Sequence, residues 1–347
     1  MTSDGHREAV PPVASDRDRP LWSVMIPTHH CAGYLRETLA SVLEQAPGPE
    51  LMQIEVVDDH SVQDDPEAVT RELGKGRVEF FRQPTNVGHV RNFNTCLQRS
   101  RGRLVHLLHG DDAVRPGFYS TLGSAFACDP AIGAAFCRYI AMDGDSHWHT
   151  VGPLLASKPG VLDGWLETIA KAQRLQPPSI VVRRDVYEHL GGFDDRIREF
   201  GEDWEMWTRI AGHYPVWYEP LPLALYRQRP ASLSRGALAT GQNLRDLARA
   251  IAINRDVLPT DRANAISDYA IRDIALSAIR RSHRMLHAGD MRAPLVQLRA
   301  AVRLSPTPRV FINGSKLLAD WGITRARQIV GQALGRRPPD PTSRALR

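Results

Sequence analysis

Three pairs of neighbouring acids stand where a chain could hold a cation or take up a proton. Asp58 and Asp59 follow the apolar run IEVV (54–57); Asp111 and Asp112 follow LVHLL (104–108) through His109-Gly110; Glu202 and Asp203 sit in FGEDWEMWTRI. An isolated Asp pair commonly does no more than cap a turn or a helix, where its short side chain accepts from free backbone N–H groups. Two pairs at the ends of successive strands fit a further need. A nucleotide diphosphate brings about two negative charges, which a hard divalent cation held by carboxylates neutralises. A carboxylate on another loop can then act as general base on a hydroxyl.

Other clusters carry less. His29-His30-Cys31 has ligand chemistry, but adjacent loop residues rarely converge on one metal ion. His106 and His109, three apart on a strand, face opposite sides and cannot chelate together. There is no GxxxxGK[ST] loop and no GxGxxG, so the usual phosphate-cradling and dinucleotide signatures are missing. The four cysteines (31, 96, 128, 137) form no CxxC pair and suit a reducing cytoplasm.

The elements that must position these acids alternate. LWSVMI (21–26), IEVV (54–57), RVEFF (77–81) and LVHLL (104–108) read as strands whose ends recur near 26, 57, 81 and 108. Between them, GYLRETLASVLEQ (33–45) places Leu35, Leu39, Val42 and Leu43 at helical spacing, and 88–99 is a second helix candidate. Intervals of about 25–30 residues are those of βαβ units, which build parallel sheets that bind ligands outside the carboxyl ends of the strands. The acidic pairs lie there.

The chain of 347 residues has ordinary hydrophobic (42%) and charged (24%) fractions, which excludes fibrous and largely disordered classes. No apolar run approaches the roughly 20 residues of a membrane span. Residues 1–20 are polar, without the apolar core of a signal peptide, and are expected to form a disordered tail. The net charge of +5 hides a division: residues 241–347 hold 19 Arg and Lys against 8 Asp, a net of +11, whereas residues 1–240 carry −6.

Taken in order, SVMIPTHHCAGYLRETLASVLEQ, IEVVDDHS, NVGHVRNFN, GRLVHLLHGDD, SIVVRRDVYEHLGGFDDRI, FGEDWEMWTRIA and YRQRPASLSR resemble the family 2 glycosyltransferases of GT-A fold. The resemblance covers about residues 21–238. It implies an α/β, Rossmann-like, mostly parallel sheet flanked by helices, and inverting transfer from a nucleotide-diphosphate sugar. It assigns Pro27 and Thr28, with Asp58, Asp59 and Arg91, to the donor's base, ribose or phosphates. Asp111 falls towards the ribose, Asp112 on a divalent cation (Mn²⁺ or Mg²⁺), and Asp203 becomes the catalytic base. Glu202, Trp204 and the Gly191-Gly192-Phe193-Asp194 turn would line the acceptor and donor-sugar side.

Two departures stand out. His109 occupies the place where many members have Asp, and Arg229 the place where the family often has a metal-binding His. Arginine cannot ligate a cation but pairs bidentately with phosphate, so Arg227 and Arg229 are expected on the diphosphate. The same departure keeps open an accessory protein that binds nucleotide sugars and turns them over weakly. A sugar-nucleotide pyrophosphorylase needs a Gly-rich phosphate loop near the N-terminus, and HHCAGY is not one.

Residues 239–335 read as a helical extension and 336–347 as a frayed tail. Apolar stripes fall at Leu244, Leu247, Ala248 and Ile251, then at Ile266, Ala270, Ile274 and Ala278, then at Val296, Ala300 and Val302–Leu304. Arg280, Arg281 and Arg284 are expected to face outward. The remaining expectations are a UDP- or dTDP-sugar donor and a glycan, lipid-linked or small-molecule acceptor. With them go a cell-envelope or glycoconjugate role, a cytoplasmic location with peripheral membrane contact through the basic helices, and a homodimer through those helices. Nucleic acid is not an expected partner, because no binding motif accompanies the charge.

Overall fold

The computed structural model describes residues 6–14, 19–229 and 233–333. In chain order they form β1 (Trp22–Thr28), α1 (Ala32–Leu43), β2 (Met52–Asp58), α2 (Pro66–Gly74), β3 (Glu79–Arg82), α3 (His89–Arg99) and β4 (Leu104–Leu107). Next come β5 (Ala113–Val114), α4 (Phe118–Cys128), β6 (Ala134–Met142), β7 (Trp148–Val151), β8 (Gly160–Val161) and α5 (Trp165–Lys171). They are followed by β9 (Ile180–Arg183), α6 (Arg184–Leu190), α7 (Glu202–Ala211) and β10 (Val216–Arg227). Helices α8 (Leu233–Thr240), α9 (Gln242–Asn254), α10 (Ala263–His287), α11 (Ala293–Leu304) and α12 (Pro308–Ala333) complete the chain. Two compact units result: one runs to Pro230 without residues 170–172 and 199–201, and those two short segments belong with the helical remainder.

In the first unit the strands run β3-β2-β1-β4-β9-β6-β10-β5, with β7 on β6 and β8 on β10. β3, β2, β1 and β4 are parallel, as their spacing predicts. β9 then enters antiparallel between β4 and β6, and β6 and β10 are parallel again. Every residue of β1 and β2 is buried, so both faces of these strands are covered, as a parallel sheet requires. Leu35, Leu39 and Val42 of α1 pack on Val24, Ile26, Ile54 and Val56 in one apolar core. Helix α2 escapes the sequence reading, although its signal is present: Asp65 accepts from the Ala68 N–H at 3.0 Å, and Pro66 opens the first turn.

Part of the stretch expected as a disordered tail is held in place. Arg7 Nε donates to Asp194 Oδ2 at 3.2 Å, the Glu8 carbonyl accepts from the Gly192 N–H at 2.9 Å, and Val10 is buried. A buried Asp194 needs cations, and Arg7 supplies one of them. Residues 336–347 lie outside the described residues.

The helical unit corrects two expectations. The buried face of α11 is Ala293, Gln297, Leu298 and Ala301 rather than Val296 and Ala300. The reason is a polar pair: Gln297 Nε2 donates to Asn243 Oδ1 (2.8 Å) and to the Leu238 carbonyl (2.6 Å), which makes a buried glutamine tolerable. Arg281 is half-buried, unlike Arg280 and Arg284, and burial pushes its guanidinium pKa down.

Candidate active site

Register brings the carboxyl ends of the parallel strands level: Thr28 pairs with Asp58, and Asp58 with Arg82. What each polar side chain does there depends on its partners. Asp58 is fully buried and accepts from the Ser61 N–H (3.0 Å), Ser61 Oγ (2.5 Å) and Arg82 Nε (2.8 Å). It anchors the loop after β2. Asp59 spreads its two oxygens over the Val87 N–H (2.7 Å) and the Gly88 N–H (3.0 Å), and so fixes the start of α3. Asn86 donates to the Asp59 carbonyl and contacts His29, whose ring lies 3.8 Å from that of His30. Pro27 and Thr28 are buried beside this corner, with the Pro27 carbonyl accepting from the Gly110 N–H. Arg91 is exposed on the first turn of α3, and no partner among the described residues engages its guanidinium.

The short β5 ties the second acidic pair to β10, through Ala113–Leu225 and Val114–Ala224. The Arg227 N–H accordingly donates to Asp112 Oδ1 at 2.8 Å. Asp112 Oδ2 is buried without a hydrogen-bond partner, 4.0 Å from His109 Nδ1. Burial, with Asp111 beside it, pushes the Asp112 pKa well up. His109 is held below its usual pKa by burial and is therefore neutral, with Nε2 also unpartnered. His109, Asp111 and Asp112 each offer one ligand atom, all within 4.8 Å of one another. An orphaned buried carboxylate oxygen, a second carboxylate and a neutral imidazole fit a hard divalent cation.

The two arginines differ in what they leave free. Arg227 has a side chain with no exposed surface and each of its three nitrogens engaged: Nε with the Asp111 carbonyl, Nη1 with the Asp143 carbonyl and Ser146 Oγ, and Nη2 with Glu37. It presents no exposed surface to a phosphate. Arg229 is partly exposed, pairs through Nη2 with Asp111 Oδ2 at 2.6 Å, and leaves Nε free. Both guanidinium groups lie over the Tyr34 ring, at 4.7 and 5.3 Å.

The third pair opens α7. Asp203 Oδ2 accepts from Gln173 Nε2 (2.5 Å) and Oδ1 from the Trp204 N–H (2.7 Å). Burial, then the Glu202 charge, raises its pKa to about 7. Glu202 Oε1 lies 3.4 Å from His89 Nε2. Burial works against the Glu202 charge, yet the His89 charge and hydrogen bond hold its pKa below the usual value. The reverse holds for His89, which Glu202 keeps above its usual value against burial. The Phe93 ring stacks on His109 (4.9 Å) and meets His89 edge-on (5.5 Å), so one aromatic wall joins the Asp112 side to the Glu202 side.

Two expected lining elements turn out to be supports. Trp204 is 1% exposed and donates from Nε1 to the Ile169 carbonyl, so it cannot touch an acceptor. The carbonyls of Gly191 and Gly192 accept from Arg209, and a side chain on Gly192 would collide with Asn94 Oδ1. Their turn is a clamp for Phe193. Conversely, the structure adds Tyr34, Glu37, His89 and Gln173 to the site's surroundings. His89 sits inside NVGHVRN, a motif the sequence displays; Gln173 stands in a loop with no signal.

Comparison with known proteins bears on the family and the fold. Residues 23–191 match the profile described as glycosyl transferase family 2. An uncharacterized protein of Mycobacterium tuberculosis is 30% identical over 250 residues, 67% of this chain and 74% of that protein. An uncharacterized glycosyltransferase of Mycoplasma pneumoniae is 25% identical over 216 residues, covering 61% and 69%. S. aureus TarS 1-349 in complex with UDP-GlcNAc superposes with a TM-score of 0.61 at 12% identity, over 91% of this chain and 92% of that one. GalNAc-T7 with UDP, GalNAc and Mn²⁺ gives 0.51 at 16% identity, over 68% and 48%. The chain belongs to glycosyl transferase family 2 and is a glycosyltransferase of GT-A fold.

Proposed function

We propose that the enzyme transfers a sugar, with inversion, from a UDP- or dTDP-linked donor to an acceptor hydroxyl, with Asp203 as general base. The observation that carries this reading is Asp203 itself: a buried carboxylate oriented by Gln173 and the Trp204 N–H, with a pKa of about 7, where a base is effective near neutral pH. Asp203 would take the proton of the acceptor hydroxyl as its oxygen attacks the anomeric carbon. Attack opposite the leaving diphosphate inverts that centre and needs no covalent enzyme intermediate. Thr28, Asp59 and Arg91 border the donor nucleotide in this reading, and Arg229 faces the diphosphate while Arg227 holds the loop behind it. A divalent cation held by Asp112, Asp111 and His109 would supply neutralisation of the leaving group's charge.

UDP and UDP-GlcNAc in the solved TarS complexes, and UDP with Mn²⁺ in GalNAc-T7, support a uridine donor. Acceptors of the glycan or lipid-linked class, in cell-envelope polysaccharide or glycoconjugate synthesis, complete the proposal. A thermal-shift panel of UDP, dTDP and GDP with and without Mn²⁺ tests it. A ligand at 100 times its Kd stabilises by about 2.7 kcal/mol. If none of the three nucleotides shifts the transition with metal present, the donor assignment fails. NMR of the product linkage tests inversion, and a retained anomer overturns the mechanism.

A further inference from the structure

Helix α12 has two apolar faces, and the helical unit uses only one. Val310, Gly314 and Leu317 are buried and Trp321, Thr324 and Gln328 half-buried, the three-and-four spacing of a packed stripe. Gly314 admits Leu298 of α11, and Trp321 Nε1 donates to the Met291 carbonyl at 2.9 Å. On the opposite side, Phe311, Ile312, Leu318, Ile323, Ile329 and Val330 are each 49–57% exposed. Ser315, Ala319, Gly322 and Ala326, all exposed, fill the gaps between them, so the apolar stripe runs almost the whole helix. Its upper end opens into a groove of about 430 Å³ beside Leu298. A contiguous exposed patch of this kind marks an interaction surface.

We propose that this face lies in the interfacial layer of an anionic membrane, with α12 parallel to the surface. Charge selects that occupant. At 100° per residue, Arg309 and Lys316 fall along one border of the stripe and Arg325 along the other, and all three are exposed. Long basic side chains at the borders of an apolar face can reach up to lipid phosphates while the face sinks between the headgroups. The one acid of α12, Asp320, lies 3.1 Å from His283, and residues 241–347 contain no Glu. A second copy docked face to face would set basic borders against basic borders, with Asp320, already beside His283, the one acid that α12 offers. No helix among the described residues is long and apolar enough to cross a membrane, which suits a helix that lies on the surface. The inference does not depend on the donor or acceptor assigned above.

Co-sedimentation of the full chain with vesicles tests it, using phosphatidylcholine alone and phosphatidylcholine mixed with phosphatidylglycerol. Binding to the mixed vesicles is expected to be at least about tenfold tighter and to fall with salt. Ile323→Glu with Val330→Glu should lose about tenfold or more, with an unchanged circular dichroism spectrum because both sites are exposed. Should that variant fail to fold, Ile323→Cys in a Cys128→Ser background, labelled with a polarity-sensitive dye, should blue-shift on anionic vesicles and not on neutral ones. No binding, equal binding by the glutamate variant, or a dye that stays in water would overturn the proposal. So would a dimer in sedimentation velocity that the glutamate substitutions dissociate, which would assign the face to a second copy.

Discussion

Two acidic pairs that look alike in sequence do opposite work at the ends of β2 and β4. Asp58 is saturated by Ser61 and Arg82, and Asp59 spends both oxygens on the backbone that starts α3. Asp112 spends one oxygen on Arg227 and keeps the other buried and unpaired. A saturated carboxylate stabilises a loop; an unsatisfied one in low dielectric is costly unless a ligand completes it. The two strands that flank β1 thus differ at their carboxyl ends: one carries spent carboxylates, the other a carboxylate oxygen still free. Glu202 and Asp203 repeat the division within one pair: Glu202 stays charged against His89, and Asp203 keeps its proton to near neutrality.

The largest effect that would break this comparison is at the proposed general base. Asp203→Asn should lower kcat by about 10²–10⁴-fold with donor binding retained. The stability consequence has the opposite sign. Because the folded carboxyl binds its proton more tightly than the usual Asp value of 3.8, its contribution to stability falls as pH rises from that range to about 7. The asparagine variant should therefore melt no lower than wild type above neutrality, and a large drop in Tm would make Asp203 structural.

At the two strand ends, Asp58→Asn and Asp112→Asn should part company. The first leaves Arg82 without its carboxylate and should cost about 1–3 kcal/mol of stability, with kcat per folded molecule preserved. The second should keep the fold and abolish the Mn²⁺-dependent part of nucleotide binding, read by titration calorimetry. Equal losses of metal response in both variants would erase the distinction.

A finer test concerns Glu202. The acid limb of the kcat/KM profile should lie near pH 7, and Glu202→Gln, by removing the neighbouring negative charge, should move it to lower pH. A limb that stays in place would mean that burial alone sets the Asp203 pKa. The smallest expected change is at Arg229. Arg229→His removes the competitor on Asp111 and should tighten Mn²⁺ binding modestly, measured by the same titration. Unchanged affinity would place Arg229 outside the cation's reach.

The local pattern of the chain already determined a good deal. Apolar runs spaced by βαβ lengths fix four parallel strands and leave the acidic pairs at their carboxyl ends, because a strand buried on both faces takes polar residues earlier only where they are paired, as Glu55 is with Arg99. The family's order of motifs then points to Asp112 and Asp203. What no local pattern could decide is which acids and arginines are already spent. Arg227 and Arg229 stand two residues apart at the end of one strand; only packing against α1 and the 143–146 loop commits Arg227 and leaves Arg229 partly free. Trp204 reads as a site residue beside Asp203, but successive helix positions point about 100° apart, and the fold turns its ring into the core. The buried Gln297–Asn243 pair and the second apolar face of α12 were equally hidden, since periodicity counts apolar residues along a helix and cannot say which stripe meets a partner. Hydrogen-bond saturation and burial are properties of neighbours distant in sequence, so the tertiary structure alone decided them.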